Sequence, residues 1–355
     1  MHASTVILAS TASQAGGKLF GVIATVTIFV AILLAIFAVA GRVTGRLERP
    51  LALVILVAPA VLLSLAGLVV PAIKTIATSF TNEQAAGQKF KLVDGKLVEY
   101  KTQFIGLDNY TFDFTDSETL HTLLRTVLWV VIVPIVTVAI GLLLALLMDR
   151  MKRPGFAKTV IFLPTAISFV GASLIWALVY DAPVYEQDGS PGTQTGLLSK
   201  LAIAVGWKHP PNWLLDTTIN TYLLMLILIW IEVGFAMVVL GAALKAIPDE
   251  IIEAARLDGA HGATLFRTVQ IPMIRNTLVV VATTVTIAAL KIFDIVFTVS
   301  GGNNDTDVLA NKMYTDLFVT NQTGRGSSLA VILFLCVVPL VAYNVVQMRR
   351  ERARR

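Results

Sequence analysis

The fold class predicted for this chain is an all-α integral membrane protein. Over its 355 residues 56% are hydrophobic and only 14% charged, and the mean hydropathy is +0.77. Soluble domains carry far more charge than this. The apolar residues also fall in runs long enough to cross hydrocarbon, since a helix rising ~1.5 Å per residue needs ~20 of them to span ~30 Å.

Seven such runs stand out, at residues 19–41, 51–77, 126–148, 159–180, 222–244, 278–298 and 328–348. Pro59, Pro71, Pro134, Pro164 and Pro339 lie in or near them, which membrane helices tolerate because neighbours satisfy the freed carbonyl. The first run is long for a signal-peptide core and reads as a retained helix, with a cleaved signal peptide as the alternative. Lys and Arg concentrate in alternate connections: segments 42–50, 149–158, 245–275 and 349–355 hold 16 of the 28. Basic loops stay cytoplasmic, so the N-terminus is expected outside and the C-terminus in the cytoplasm. The longer loops 80–125, 181–221 and 299–327 are then external, and Trp207 and Trp213 in the second suit a membrane interface. The organisation expected is an extra helix and linker at 1–50, a transmembrane domain at 51–349 and a basic tail at 350–355.

Several chemistries lack their residues. No phosphate-binding Gly-rich loop ending in Lys-Ser or Lys-Thr occurs, and Ser300-Gly-Gly-Asn303 reads as a turn. The four histidines are scattered, no metal-ligand spacing is present, and the single Cys336 allows no intrachain disulfide. The expectation is a non-enzyme with no metal and no cofactor of its own. In a membrane chain the basic excess reflects cytoplasmic loops, and no nucleic acid is implied.

The connection 245–275 is the most informative stretch. Ile247-Pro-Asp-Glu250 starts a helix, with proline in the first turn and two carboxylates at the positive end of the dipole. Ile251, Ile252, Ala254, Ala255 and Leu257 give it small and apolar faces. Asp258-Gly259 ends it, because glycine accepts the positive φ of a sharp reversal. A second helix is expected from Ala260 to Gln270, striped by Leu265, Phe266 and Val269 and closed by Pro272. Such a hairpin suits either a lipid interface or a protein cleft; its near-balanced charge favours the cleft.

Glu253-Ala-Ala, Asp258-Gly-Ala260, Phe266 and Ile271-Pro272 resemble the EAA motif of ABC importer permeases, in its carbohydrate-uptake form. The resemblance extends from Phe104 to Arg349, through Gly141-Leu-Leu-Leu-Ala145, Phe162-Leu-Pro-Thr-Ala-Ile-Ser168, Trp176, Gly234-Phe235, Lys291-Ile-Phe-Asp294 and Gly324-Arg-Gly-Ser327. The later stretch is similar to permeases for α-glucosides and maltose-like sugars. Arg125-Thr126 and Gly301-Gly-Asn303 depart from the common pattern.

The resemblance implies the type I ABC importer transmembrane domain, a MetI-like core of six helices plus one extra N-terminal helix, in a bacterial inner membrane. It implies that Glu253, Ala254, Ala255, Asp258, Gly259, Ala260, Phe266, Ile271 and Pro272 form a coupling element seated on a separate ATPase dimer at the cytoplasmic side. ATP and Mg are then used by that partner. The other implied partners are a second EAA-bearing permease subunit and an extracytoplasmic sugar-binding protein.

Charged residues within spans are functional candidates. Glu232 falls in the fifth run, and Lys291 and Asp294 share one face of the sixth at i, i+3 spacing. They read either as a buried salt bridge or as polar lining of a sugar pathway, with Trp230, Phe235 and Phe293 as stacking candidates beside them. The same carboxylates leave open an ion-coupled secondary transporter, and the same machine leaves open a polyol or glycerol phosphate as cargo.

Overall fold

The computed structural model describes residues 57–82, 90–93, 96–99, 102–149, 151, 153–182 and 196–352, with Thr27 and Ala38 singly. The expected first span, 19–41, lies outside them. The chain divides into two compact units, Met1–Lys74 and Thr75–Arg355.

Helix α1, Val57–Thr78, is long and apolar enough to span a membrane. Its π-helical turn Leu65–Val69 closes with the Val70 amide on the Leu65 carbonyl, one residue before Pro71. A widened turn relieves the crowding that a proline ring imposes on the carbonyl of the turn before it.

Among its described residues the second unit is α-helical apart from one hairpin, β1 Phe90–Val93 and β2 Lys96–Glu99, paired antiparallel with Val93 opposite Lys96, and an isolated bridge between Thr81 and Phe104. Its helices are α2 Asp108–Thr115, α3 Ser117–Asp149, α4 Gly155–Phe162, α5 Phe169–Val179, α6 Leu197–Ala204, α7 Asn220–Lys245 and α8 Asp249–Leu257. Then follow α9 Gly262–Leu290, α10 Asp294–Val299, α11 Leu309–Tyr314 and α12 Thr323–Arg352. Among the described residues α1, α3, α7, α9 and α12 meet the length and hydropathy of a span.

Two expected spans are broken. Residues 159–180 form α4, extended by a 3₁₀ turn to Ala166, and α5, bent from it by 103°. Pro164 sits in the 3₁₀ turn, Ile167 is extended, and Ser168 restarts the helix by accepting the Gly171 amide on its side chain. The run 278–298 also divides: α9 ends at Leu290 and α10 starts at Asp294. No proline or glycine marks this break. It lets Ile292, Ile295 and Val296 bury themselves where α10 packs on α5, so tertiary packing overrides local helical preference.

The core is built on α3, α7 and α9. Apolar transfer does not drive helix association in lipid, so close packing must. Gly141 on α3 faces Ala236 on α7, where an added Cβ would stand 2.6 Å from the Ala236 methyl; Gly241 faces Ala145. These two levels make α3 and α7 parallel. Gly234 lets α7 approach the backbone of α4, where a Cβ would stand 2.6 Å from the Ile161 carbonyl oxygen. Thr283 donates to Asn344 at 2.7 Å between α9 and α12.

Candidate functional site

At the far end of α7 the chain leaves the bundle as a helical hairpin. Pro248 precedes α8, Asp249 and Glu250 occupy its first turn and Arg256 its last, each placed with the helix dipole. The Gly259 amide bonds the Arg256 carbonyl at 3.0 Å and the Ala260 amide bonds the Ala255 carbonyl at 2.9 Å. This bond pair is the Schellman closure, and Gly259 supplies its left-handed residue at φ +87°. His261 Nδ1 lies 3.0 Å from the Gly259 carbonyl oxygen, tightening the turn.

The sequence-predicted residues divide into a tip and a root. Glu253, Ala254, Asp258 and Gly259 are exposed, Ala255 and Ala260 are half-buried, and Leu257 is 90% exposed. Phe266 and Ile271 turn inward with Ile252 and pack on the core. Pro272 is exposed but does not close the second helix, contrary to expectation. Residues 266–270 are a π turn, closed by the Ile271 amide on Phe266, and the helix continues as α9 to Leu290. The same device precedes Pro71. The hairpin tip is therefore joined to the break at Lys291–Phe293 by one continuous helix.

The intramembrane candidates are arranged differently from the sequence expectation. Glu232 is half-buried on α7. Lys291 is exposed in the break and Asp294 is half-buried in the first turn of α10, so the shared helical face does not form. Among the described residues none of the three takes part in an ion pair. Trp230 packs edge-on to Trp176, their centroids 5.6 Å apart, and Trp176 lies 5.2 Å from Tyr180. Phe235 is half-buried against the core. Phe293 belongs to a ring cluster with Phe297 and Tyr314, at 5.0 and 4.8 Å, which Phe318 extends.

Sequence reading missed the polar cap at the opposite end. Arg125 pairs with Asp305, Lys312 bonds Glu118 at 2.8 Å, and Asn220 donates to the Asn304 carbonyl at 2.6 Å. The Leu309 amide bonds Thr126 Oγ1 at 2.8 Å, and Asn109 donates to the carbonyls of Ser79 and Thr81. Burial pushes the carboxyls of Asp307 and Asp316 above their ordinary value. Burial alone would lower Lys312, but the bond to Glu118 and the nearby carboxylates hold its ammonium above the usual value. These partners are far apart in sequence and carry no local signal.

Residues 117–355, α3 to the C-terminus, match the family of binding-protein-dependent transport system inner membrane components. The chain belongs to this family. It is a membrane subunit of a transporter and an inner membrane, multi-pass component. An osmoprotective compounds uptake permease of Synechocystis is 43% identical over 289 residues, covering 81% of this chain and 96% of that protein. An α-glucoside transport system permease of Rhizobium meliloti is 43% identical over 249 residues, covering 70% and 72%. The transporter fold is shared with a bacterial alginate ABC transporter solved with an alginate pentasaccharide-bound periplasmic protein. That match has a TM-score of 0.68 at 18% identity and covers 86% of this chain and 96% of the other. The family match begins at Ser117, so α1, the β-hairpin and α2 precede it.

Proposed function

We propose that this chain is one permease subunit of an ATP-driven sugar importer, and that the hairpin 245–275 couples it to a separate ATPase dimer. The carrying observation is the hairpin itself. An exposed tip of Glu253, Ala254, Leu257, Asp258 and Gly259 is closed by two backbone bonds and leads through Ala260 and His261 directly into α9. Leu257 at 90% exposure is a large apolar side chain offered outward beside small residues and carboxylates, a surface suited to a groove in a protein. Movement of a seated tip would reach the break at Lys291–Phe293 through a single helix.

In this reading the ATPase binds ATP and Mg, and this chain binds neither. In the same reading the hairpin and the C-terminus are cytoplasmic and the polar cap external, an orientation that the concentration of Lys and Arg in segments 42–50, 149–158, 245–275 and 349–355 supports. A second EAA-bearing permease completes the pathway, and an extracytoplasmic binding protein delivers the sugar to the cap. The names of the two 43%-identical relatives, an α-glucoside permease and an osmoprotective compounds uptake permease, favour an oligosaccharide of the α-glucoside class. Glu232, Asp294 and Lys291 are proposed polar contacts of the pathway, and Trp230, Phe235 and Phe293 its aromatic lining.

A photo-reactive amino acid at Leu257 in the assembled transporter tests the coupling surface. Cross-linking to the ATPase is expected there, and none from Phe334, an exposed residue of α12. Cross-links from Leu257 to lipid alone overturn the reading. Ligand analysis of the co-purified binding protein tests the sugar.

A further inference from the structure

Ser328 is fully buried at the head of α12 and has two short oxygen neighbours. Its Oγ lies 2.6 Å from Asp113 Oδ2 on α2 and 2.7 Å from the carbonyl oxygen of Arg325. A serine hydroxyl holds one proton, and a carbonyl and an ionised carboxylate are both acceptors. With Asp113 ionised, one of the two contacts has no hydrogen in it. Asp113 is 1% exposed, so solvent does not relieve the deficit, and unmet contacts at such burial are costly. One more proton satisfies both: Asp113 O–H donates to Ser328, and Ser328 donates to Arg325.

We propose that Asp113 is the protonated acid in this conformation, and that the Asp113–Ser328–Arg325 chain is a proton-sensitive latch fastening α2 to the head of α12. This inference goes beyond the transport reading and does not depend on it.

The surrounding charges agree. Arg325, the nearest cation on α12, lies over the Phe112 ring at 3.7 Å from its centroid and bonds Gln322 at 2.8 Å. It forms no ion pair with Asp113 among the described residues. Asp316, on the π turn Thr315–Val319, is buried nearby as a like charge, and Asp116 adds another at the end of α2. On α3, Glu118 is engaged by Lys312 and His121 is exposed. Burial, the largest influence, raises the Asp113 carboxyl from 3.8 to about 6, against the pull of Ser328 and Arg325.

The sign follows by linkage. The latched state holds its proton up to about pH 6, while a released, solvated Asp113 loses it near the ordinary 3.8. Between those values rising pH favours release, and the latch is weakest above them. The window of about two pH units limits the change to roughly 100-fold.

Amide-exchange protection of segments 108–115 and 323–328 tests this on the full chain in lipid nanodiscs, corrected for intrinsic exchange, from about pH 4 to about pH 7. Wild-type protection should fall as pH rises, by up to roughly 100-fold. Asp113→Asn, which donates to Ser328 without titrating, should give a flat profile. Ser328→Ala removes the hydroxyl that joins Asp113 to the Arg325 carbonyl but leaves the carboxyl buried, so protection should fall at every pH while the slope remains. A flat wild-type profile overturns the latch. So does a slope that survives in Asp113→Asn, or wild-type protection in Ser328→Ala, and one informative variant is enough if the other fails to assemble.

Discussion

The amide of Ile271 donates to the carbonyl of Phe266, five residues back, and this one widened step carries the chain past Pro272 without ending the helix. A proline after a charged hairpin would ordinarily separate that hairpin from the span behind it. Here the second arm of the hairpin and that span belong to the same rod, α9.

Gly259→Ala isolates the backbone requirement of the tip. An added Cβ meets nothing within 4 Å, so the only cost is the left-handed φ of +87°, about 1–2 kcal/mol for an L-residue. Transporter assembly should persist while exchange protection of α8 falls. Unchanged protection would show that the closure does not rest on that glycine.

Gly234→Ala and Gly241→Ala are paired tests of helix packing on α7. At Gly234 the new Cβ would stand 2.6 Å from the Ile161 carbonyl oxygen and 2.9 Å from Phe162 Cα, both backbone atoms that cannot swing away. At Gly241 the nearest atom is the Ala145 methyl at 3.7 Å, an ordinary contact. The first should lower stability by ~1–3 kcal/mol and the second should be near neutral. Thermal unfolding in detergent measures both, and equal effects would contradict the packing described.

Asp116 caps α3. Its Oδ2 accepts the Thr119 amide and hydroxyl, each at 2.9 Å, and those bonds hold its carboxyl below the ordinary 3.8. A depressed carboxyl stabilises the fold above its ordinary value, and the benefit is lost as pH falls through the lowered one. Asp116→Ala should cost about 0.5–2 kcal/mol near neutral pH and less in strong acid. A cost independent of pH would point away from capping.

Much of this architecture was legible in the chain. Four apolar runs correspond to the spans α1, α3, α7 and α12 and a fifth to the second half of α9, and Pro248, Asp258-Gly259 and the first-turn carboxylates mark α8 and its reversal. The break at Lys291–Phe293 was hidden, because it has no proline or glycine and is set by the burial of Ile292, Ile295 and Val296. The continuity of α9 is hidden because proline usually stops a helix and a π turn leaves no residue-type signature. Asp94-Gly95 between Val93 and Lys96 is a two-residue hairpin signal in the sequence. The polar cap was out of reach: Asp113 and Ser328 are 215 positions apart, Arg125 and Asp305 180, and no periodicity links such pairs.

In the proposed mechanism the hairpin tip transmits force from a separate ATPase. Gly259→Arg places a long charged side chain in the exposed turn without touching the core, and Glu253→Lys reverses the charge of the tip. The decisive measurement is sugar uptake together with substrate-stimulated ATP hydrolysis, at equal membrane abundance. Both activities should be lost in each variant while the chain remains in the membrane. Uptake at the wild-type rate by either variant would contradict it.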